Sequence, residues 1–191
     1  MKYEDLDYKF NQVFYRKVLD DNECKKLEEY YTDLDPCIPI YKKNNSETVK
    51  SGQKFLSEDE GSWLKEKLIE HVRELNNNFY NIKSLKFGRF GLLECNEDSD
   101  EHDWHHDVGM QFPYSERKIT LVIFIRNRDD YEGGQLEFIP KLKEPLKMEK
   151  GYMVAFPSHK IHKVSTVTKG LRRTVINWLY EYQPEIDKYI I

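Results

Sequence analysis

The chain has 191 residues, of which 39% are hydrophobic and 34% are charged, with a net charge of −4. This length is typical of one domain that can bury a core without disulfide or metal staples. The acidic balance argues against a nucleic-acid-binding surface, and no apolar segment has the length of a signal peptide core or a membrane span. Three cysteines without C-x-x-C spacing fit a reducing compartment, so we expect a cytoplasmic protein.

The first 80 residues are predicted to be largely helical. Asp20 and Glu23 have the spacing of a capping box, and apolar residues then recur at helical period. Ser57 and Glu60 repeat this spacing before a longer amphipathic stretch. A polar loop over 41–54 is predicted to separate the two helices. We expect the helices to support the rest of the chain by packing.

The remainder of the chain is predicted to form short strands. Gly133-Gly134 is typical of a hairpin corner. The pattern predicts a mainly β fold with N-terminal helices, namely a double-stranded β-helix, the jelly roll of cupins. We expect one domain over 1–191, with a helical support region at 1–80 and a jelly-roll core at 81–191. The strand segments, rich in β-branched and aromatic residues, are 85–95, 118–126, 152–156 and 172–182.

The segment Trp104-His105-His106-Asp107 carries a candidate metal site. On a strand, His105 and Asp107 would point to one side, because alternate residues share a face. A third ligand must come from another strand, where His159 and His162 are the candidates. Two histidines and one carboxylate form the facial triad of non-haem Fe(II) oxygenases, which leaves ligand positions open. A structural zinc site would fill its positions with protein ligands.

Arg172 is a candidate anion-binding residue, since it begins the apolar alternating segment RRTVINWLY. A buried charge costs on the order of several kcal/mol unless it is paired. A substrate carboxylate would pair with it through two parallel hydrogen bonds, and Thr174 on the same face would add a hydroxyl. Arg173 points the other way and is expected to be solvated. A surface ion pair is the alternative for Arg172.

The stretch 104–178 resembles the prolyl-4-hydroxylase-like 2-oxoglutarate/Fe(II) dioxygenases, in particular the bacterial and phage domains of the peptidyl-proline hydroxylase type. The matching segments are WHHD, RKITLVIFI, DYEGGQLEF and KGYMVAFPSHKIHKVSTVTKGLRRTVINW. The resemblance implies that His105, Asp107 and His162 bind iron and that Arg172 binds the distal carboxylate of 2-oxoglutarate. Trp178 lies where the family usually has Trp, and we expect it to pack the strand end near the pocket.

The resemblance also implies Fe(II), 2-oxoglutarate and O2 as cofactor and co-substrates, with ascorbate as a candidate reductant. The implied reaction hydroxylates an unactivated C–H bond and releases succinate and CO2. Asp107 favours hydroxylation, because halogenating relatives lack this carboxylate. Many members carry a Tyr before the H-x-D that contacts the co-substrate. Here the corresponding residues are 94–96, and Cys95 is either its replacement or a buried structural cysteine.

Peptidyl proline is the substrate that the resemblance implies. The loop 108–116 follows the candidate ligands, and its Met110, Phe112 and Tyr114 are predicted to line a groove for a peptide or a small ring. The alternatives are a hydroxylase of a free amino acid or small metabolite, and a non-catalytic cupin module that binds a metal or 2-oxoglutarate. Nucleic-acid repair is disfavoured by the acidic pI. No membrane partner is expected, and the sequence predicts no oligomeric state.

Overall fold

The computed structural model describes residues 4–5, 12–36, 51–97, 102–144, 146 and 148–181. Within these residues the chain forms two α-helices and thirteen strands, and the strands pair antiparallel. Cys37, most of the predicted loop 41–54 and part of the acidic loop 96–103 lie outside the described residues. Neither helix in the described part is long and apolar enough to cross a membrane.

The strands form two sheets, as the jelly-roll prediction requires, and the mainly β fold is confirmed. In chain order the elements are β1 (Glu4–Asp5), β2 (Phe14–Lys17), α1 (Asp21–Glu28), β3 (Asp35–Pro36), β4 (Gly52–Phe55), α2 (Glu58–Leu75), β5 (Leu85–Phe87), β6 (Gly91–Asn96), β7 (His102–His105), β8 (Arg117–Phe124), β9 (Tyr131–Gly133), β10 (Leu136–Phe138), β11 (Tyr152–Pro157), β12 (His162–Val164) and β13 (Val167–Glu181). The larger sheet has the order β1-β2-β11-β8-β13-β6-β4-β3, with β5 and β9 also pairing with β13. The smaller sheet has the order β10-β12-β7.

Both helices begin where the capping boxes predict. The Asp20 side chain accepts a hydrogen bond from the Glu23 amide at 2.9 Å, and the Glu23 carboxylate accepts one from the Asp20 amide. Ser57 and Glu60 form the same reciprocal pair at the start of α2. These bonds satisfy amide groups that have no partner inside a helix, so the short polar signals fix where each helix begins.

The larger sheet separates two apolar cores because its side chains alternate between its faces. On β8, Leu121 and Ile123 pack towards the helices, in a core with Leu64 and Leu68 of α2. The alternate residues Val122 and Phe124 pack in the second core, which lies between the two sheets. Segment 118–126 was therefore correctly predicted to be buried on both faces.

The N-terminal region differs from the prediction of a helical support region alone. Strand β2 pairs with β11, and β4 pairs with β6, so this region also extends the larger sheet. The alternation of β2 places Phe14 in the helix-side core and Tyr15 in the core between the sheets. The last residues of the predicted loop 41–54 belong to β4. Four-residue strands give too short a pattern for the sequence to reveal them.

Gly133-Gly134 is not a hairpin corner, which corrects the prediction. Strand β9 pairs with β13, whereas β10 pairs with β12, so the chain crosses between the two sheets at these glycines. Both have positive φ, +73° and +60°, which glycine adopts without the steric penalty of a side chain. Segment 85–95 is also divided, into β5 and β6, and β13 begins five residues before the predicted 172.

We expect Tyr31→Phe to lower the free energy of unfolding by about 1 kcal/mol. The Tyr31 hydroxyl donates a 2.7 Å hydrogen bond to the buried Thr174 carbonyl and so ties the end of α1 to β13. The variant removes this bond and keeps the aromatic ring. Urea denaturation provides the measurement, with Tyr30→Phe as the control, because Tyr30 is the half-buried neighbour in the chain. Equal effects of the two substitutions would contradict the role of this bond.

Candidate metal centre

The two candidate histidine ligands lie directly opposite each other in the smaller sheet. His105 is the last residue of β7 and pairs with His162 at the start of β12. Their ring centroids are 4.3 Å apart. The prediction placed Asp107 on the same strand, but the strand ends at His105. Asp107 still lies beside the histidines, because its amide donates a 2.8 Å hydrogen bond to the Ser158 carbonyl.

The three side chains converge, so that their candidate ligand atoms lie around a common point. His105 Nε2 lies 3.7 Å from Asp107 Oδ1, and His162 Nε2 lies 3.7 Å from Oδ2. The candidate ligand atoms all lie within 4.8 Å of one another. The donor set of two imidazole nitrogens and one carboxylate is that of the facial triad, so these residues fit a divalent iron ion with open positions.

Backbone carbonyl groups fix the orientation of both imidazole rings. The Nδ1 atom of His105 lies 2.6 Å from the Asp103 carbonyl, and that of His162 lies 2.9 Å from the Lys160 carbonyl. A carbonyl can only accept, so each Nδ1 carries the proton. Each Nε2 therefore keeps its lone pair, which is the tautomer that binds a metal.

The Asp107 carboxylate is held by a threonine of β8, which a serine in the turn after β11 supports. Thr120 of β8 donates a 2.7 Å hydrogen bond to Asp107 Oδ2. Ser158 Oγ lies 3.0 Å from Thr120 Oγ1 and donates to it, because the Thr120 proton is already used. Such outer contacts orient metal ligands. Sequence reasoning missed Thr120 and Ser158, although Thr120 is the one hydroxyl in the apolar segment KITLVIFIR.

His162 lies in an aromatic environment that keeps it neutral. Its ring packs edge-on against Phe156 at 4.8 Å and lies 6.2 Å from Phe138. Burial lowers the pKa of His162, and the Asp107 carboxylate offsets part of this shift. Only neutral imidazole binds a metal, so the environment favours the ligand form.

Arg117 connects the centre to the loop 108–116. Its Nη1 donates a 3.1 Å hydrogen bond to the Asp107 carbonyl, and its guanidinium lies 3.7 Å from the Trp178 ring centroid. The Tyr114 ring lies 4.7 Å away from the same group. Trp178 therefore lies against the strand end next to the centre, through an arginine that the sequence analysis did not single out.

Arg172 and Thr174 lie on the inner face of β13, and Arg172 is 1% exposed. Its Nη1 donates a long, 3.4 Å hydrogen bond to Thr174 Oγ1, and no carboxylate in the described residues forms an ion pair with it. Arg173 faces the helices and pairs with Glu94 at 2.7 Å, so the prediction that it is solvated was wrong. Cys95, opposite Arg172, is buried at 2% exposure.

The loop 108–116 leaves most of its apolar side chains in solvent. Met110 is fully exposed, Phe112 is 65% exposed and Tyr114 is 51% exposed. The loop closes on itself through the Gly109 amide, which donates to the Tyr114 carbonyl at 3.1 Å. These three residues therefore lie beside the centre without enclosing a cavity. His106 and His159 are exposed and take no part in the cluster.

Comparison with known proteins relates this chain to one oxygenase superfamily. Residues 90–180 match the 2OG-Fe(II) oxygenase superfamily. A PKHD-type hydroxylase of Synechococcus sp. (strain CC9311) is 31% identical over 150 residues, 73% of this chain and 66% of that protein. A PKHD-type hydroxylase of Hyphomonas neptunium is 29% identical over 134 residues, 68% of this chain and 59% of that protein. The chain thus spans roughly 60% of the length of these relatives.

A solved structure shares the fold. The viral collagen prolyl hydroxylase of Paramecium Bursaria Chlorella virus-1, in its 2OG complex, superposes with a TM-score of 0.68. The alignment covers 92% of this chain and 99% of that protein, at 19% sequence identity. The jelly-roll arrangement is therefore the fold that this prolyl hydroxylase has.

We expect the metal-free protein to lose stability as the pH falls from about 7.5 to about 5.5. Burial makes the pKa of His162 lower in the folded chain than in the unfolded chain. At pH values below the ordinary pKa of histidine, the unfolded chain therefore binds more protons and is stabilised relative to the folded chain. Urea denaturation in the presence of a chelator measures this loss. His162→Gln should reduce it, and an equal loss in both proteins would contradict the expectation.

Proposed function

We propose that the chain is a member of the 2OG-Fe(II) oxygenase superfamily, namely a dioxygenase that hydroxylates an unactivated C–H bond of peptidyl proline. In this proposal His105, Asp107 and His162 hold Fe(II), whereas Arg172 and Thr174 bind the distal carboxylate of 2-oxoglutarate. The convergence of two unprotonated Nε2 atoms and one carboxylate supports the iron assignment.

The buried charge of Arg172 is the observation that carries the co-substrate assignment. Its guanidinium is buried between the sheets and lacks a carboxylate partner in the described part of the chain. An unpaired buried charge is strongly destabilising, so a bound anion would relieve a cost that the folded chain otherwise bears. A cupin that binds only a metal would not need a buried positive charge at the position of Arg172. A 2-oxo acid with a second carboxylate supplies the counter-charge.

The residues of the chain position and insulate the reacting groups. Bound Fe(II), 2-oxoglutarate and O2 supply the oxidising chemistry and yield succinate, CO2 and the hydroxylated product. Thr120 holds Asp107 in one orientation, and Arg172 fixes the distal end of the co-substrate. Phe138 and Phe156 exclude water from one side of His162.

An exposed apolar loop beside the centre supports a peptide rather than a free amino acid as substrate. Sites for small molecules are concave and enclose most of the ligand. Met110 and Phe112 instead project into solvent, as expected of a surface that meets a larger partner. The name of the relatives, PKHD-type hydroxylase, agrees with hydroxylation, and the name of the structural neighbour, collagen prolyl hydroxylase, agrees with a prolyl substrate.

The test of the activity is succinate formation by anaerobically purified protein supplied with Fe(II), 2-oxoglutarate, ascorbate and then air. A proline-containing peptide library and free proline are the two substrate arms, with a 16 Da mass gain as the product signature. We expect the wild type to form succinate and to hydroxylate peptides. His162→Ala should abolish both, because it removes a metal ligand. The matched control is His159→Ala, which changes an exposed histidine in the turn before His162.

Three other outcomes would contradict parts of this proposal. Hydroxylation of free proline alone would replace the peptide by a small-molecule substrate. Stoichiometric iron binding without succinate in either arm would favour a metal-binding module without catalysis. Equal activity of wild type and His162→Ala would overturn the assignment of the metal centre.

We expect Arg172→Gln to raise the KM for 2-oxoglutarate about 10- to 100-fold, the effect of losing a hydrogen bond to a charged group. Saturating 2-oxoglutarate should restore much of kcat, because Arg172 binds the co-substrate away from the reacting atoms. Arg173→Gln is the matched control, since Arg173 faces the opposite side of β13 and pairs with Glu94. Initial rates of succinate formation provide both constants. A similar KM in the two variants would contradict the carboxylate assignment.

A further inference from the structure

A second buried donor lies next to Arg172 in the core between the sheets. Tyr131, the first residue of β9, pairs with Gly170 of β13, two residues before Arg172. Its side chain is 3% exposed. Its hydroxyl is buried, and its proton has no acceptor in the described part of the chain, although the oxygen lies within reach of the Arg172 guanidinium. A buried hydroxyl proton without an acceptor destabilises the folded chain, so its retention calls for an explanation.

Gly134 brings Tyr131 and Arg172 together. A Cβ at Gly134 would lie 2.7 Å from Arg172 Cδ and 3.3 Å from Tyr131 Cε2, so the glycine backbone fits between the arginine stem and the tyrosine ring. The Arg172 Nε is also buried without a hydrogen-bond partner. The Arg172 Nε–H and the Tyr131 hydroxyl proton, each without an acceptor in the described residues, therefore belong to neighbouring side chains in one apolar core.

Arg172 can donate a hydrogen bond to the Tyr131 oxygen, but it offers no acceptor for the Tyr131 proton. Burial raises the pKa of Tyr131, and the positive charge of Arg172 offsets only part of this shift, so the phenol keeps its proton. A guanidinium has no acceptor. The Tyr131 proton therefore needs an acceptor from outside the described residues. An anionic oxygen accepts from a phenol and a guanidinium together, through strong charge-assisted hydrogen bonds.

We propose that the Tyr131 hydroxyl donates a hydrogen bond to the distal carboxylate that Arg172 binds, and so makes the site selective for 2-oxo acids that end in a second carboxylate. The inference rests on the proposed function, because it assumes that this anion is the co-substrate. It gives the glycine crossing at 133–134 a role in binding, since Gly134 sets the distance between the two donors. Arg128 covers the Tyr131 ring at 5.1 Å and donates to the Tyr131 carbonyl, which fixes the ring.

Ligand binding to Mn(II)-loaded protein under anaerobic conditions tests this proposal without turnover. Calorimetric titration gives Kd values for 2-oxoglutarate and for 2-oxopentanoate, the five-carbon acid without the distal carboxylate. Tyr131→Phe should weaken 2-oxoglutarate binding about tenfold, the effect of one charge-assisted hydrogen bond, and leave 2-oxopentanoate binding unchanged. Tyr152→Phe is the matched control, because Tyr152 packs at the edge of the same core against Tyr15.

Thermal unfolding of the ligand-free variants separates binding from packing. Tyr131→Phe removes an unmatched buried hydroxyl, so its Tm without ligand should equal or exceed that of the wild type. A lower Tm together with unchanged 2-oxoglutarate affinity would assign Tyr131 to structure and overturn the proposal. An equal loss of affinity for both acids would also overturn it, because the contact would not involve the distal carboxylate. Wild type that binds neither acid would refute the proposed function itself.

Discussion

Strand β13 presents its two faces to different surroundings, and the positions of the groups around the centre follow from this alternation. The face towards the helices carries Val175 and Leu179 in the larger apolar core. The opposite face carries Arg172 and Thr174 between the sheets, with Trp178 further along. Since the strand pairs with β6 and β8 on its two sides, a shift of one residue would exchange the two faces. The register of one long strand thus decides which polar groups meet a ligand.

The metal centre forms where the two sheets meet, and neither sheet contains it alone. The smaller sheet supplies His105 and His162, while the larger sheet supplies Thr120, which orients Asp107. The Ser158 turn joins these parts, because its carbonyl accepts from the Asp107 amide and its hydroxyl contacts Thr120. The distance between the sheets therefore controls the distance between carboxylate and imidazoles. A rigid core between the sheets is a condition for a well-defined centre.

The sequence predicted local features and missed those that depend on pairing partners. Capping signals located both helices, and the spacing of His105 and Asp107 predicted their convergence, although a turn rather than a strand produces it. Gly133-Gly134 was wrongly predicted as a hairpin, because glycine signals a change of direction without specifying the next strand's partner. For the same reason, the sequence did not predict that Tyr131 lies near the anion-binding residue. Its closeness to Arg172 arises from pairing between β9 and β13, in which Tyr131 lies opposite Gly170, 39 residues later in the chain.

Arg173 and Arg172 lie on opposite faces of β13 and differ in their partners, and this contrast indicates different roles. On the helix side, Arg173 pairs with Glu94, and the Tyr31 hydroxyl donates to the backbone of β13, so both contribute to stability. Between the sheets, the Arg172 Nε–H and the Tyr131 hydroxyl proton are buried without an acceptor in the described part of the chain. Each unmatched group of this kind costs about 1–3 kcal/mol, which the folded chain bears when no ligand is bound. A ligand that matches them returns this energy as binding affinity and stabilises the fold, so the folded state and the anion-bound state are thermodynamically linked.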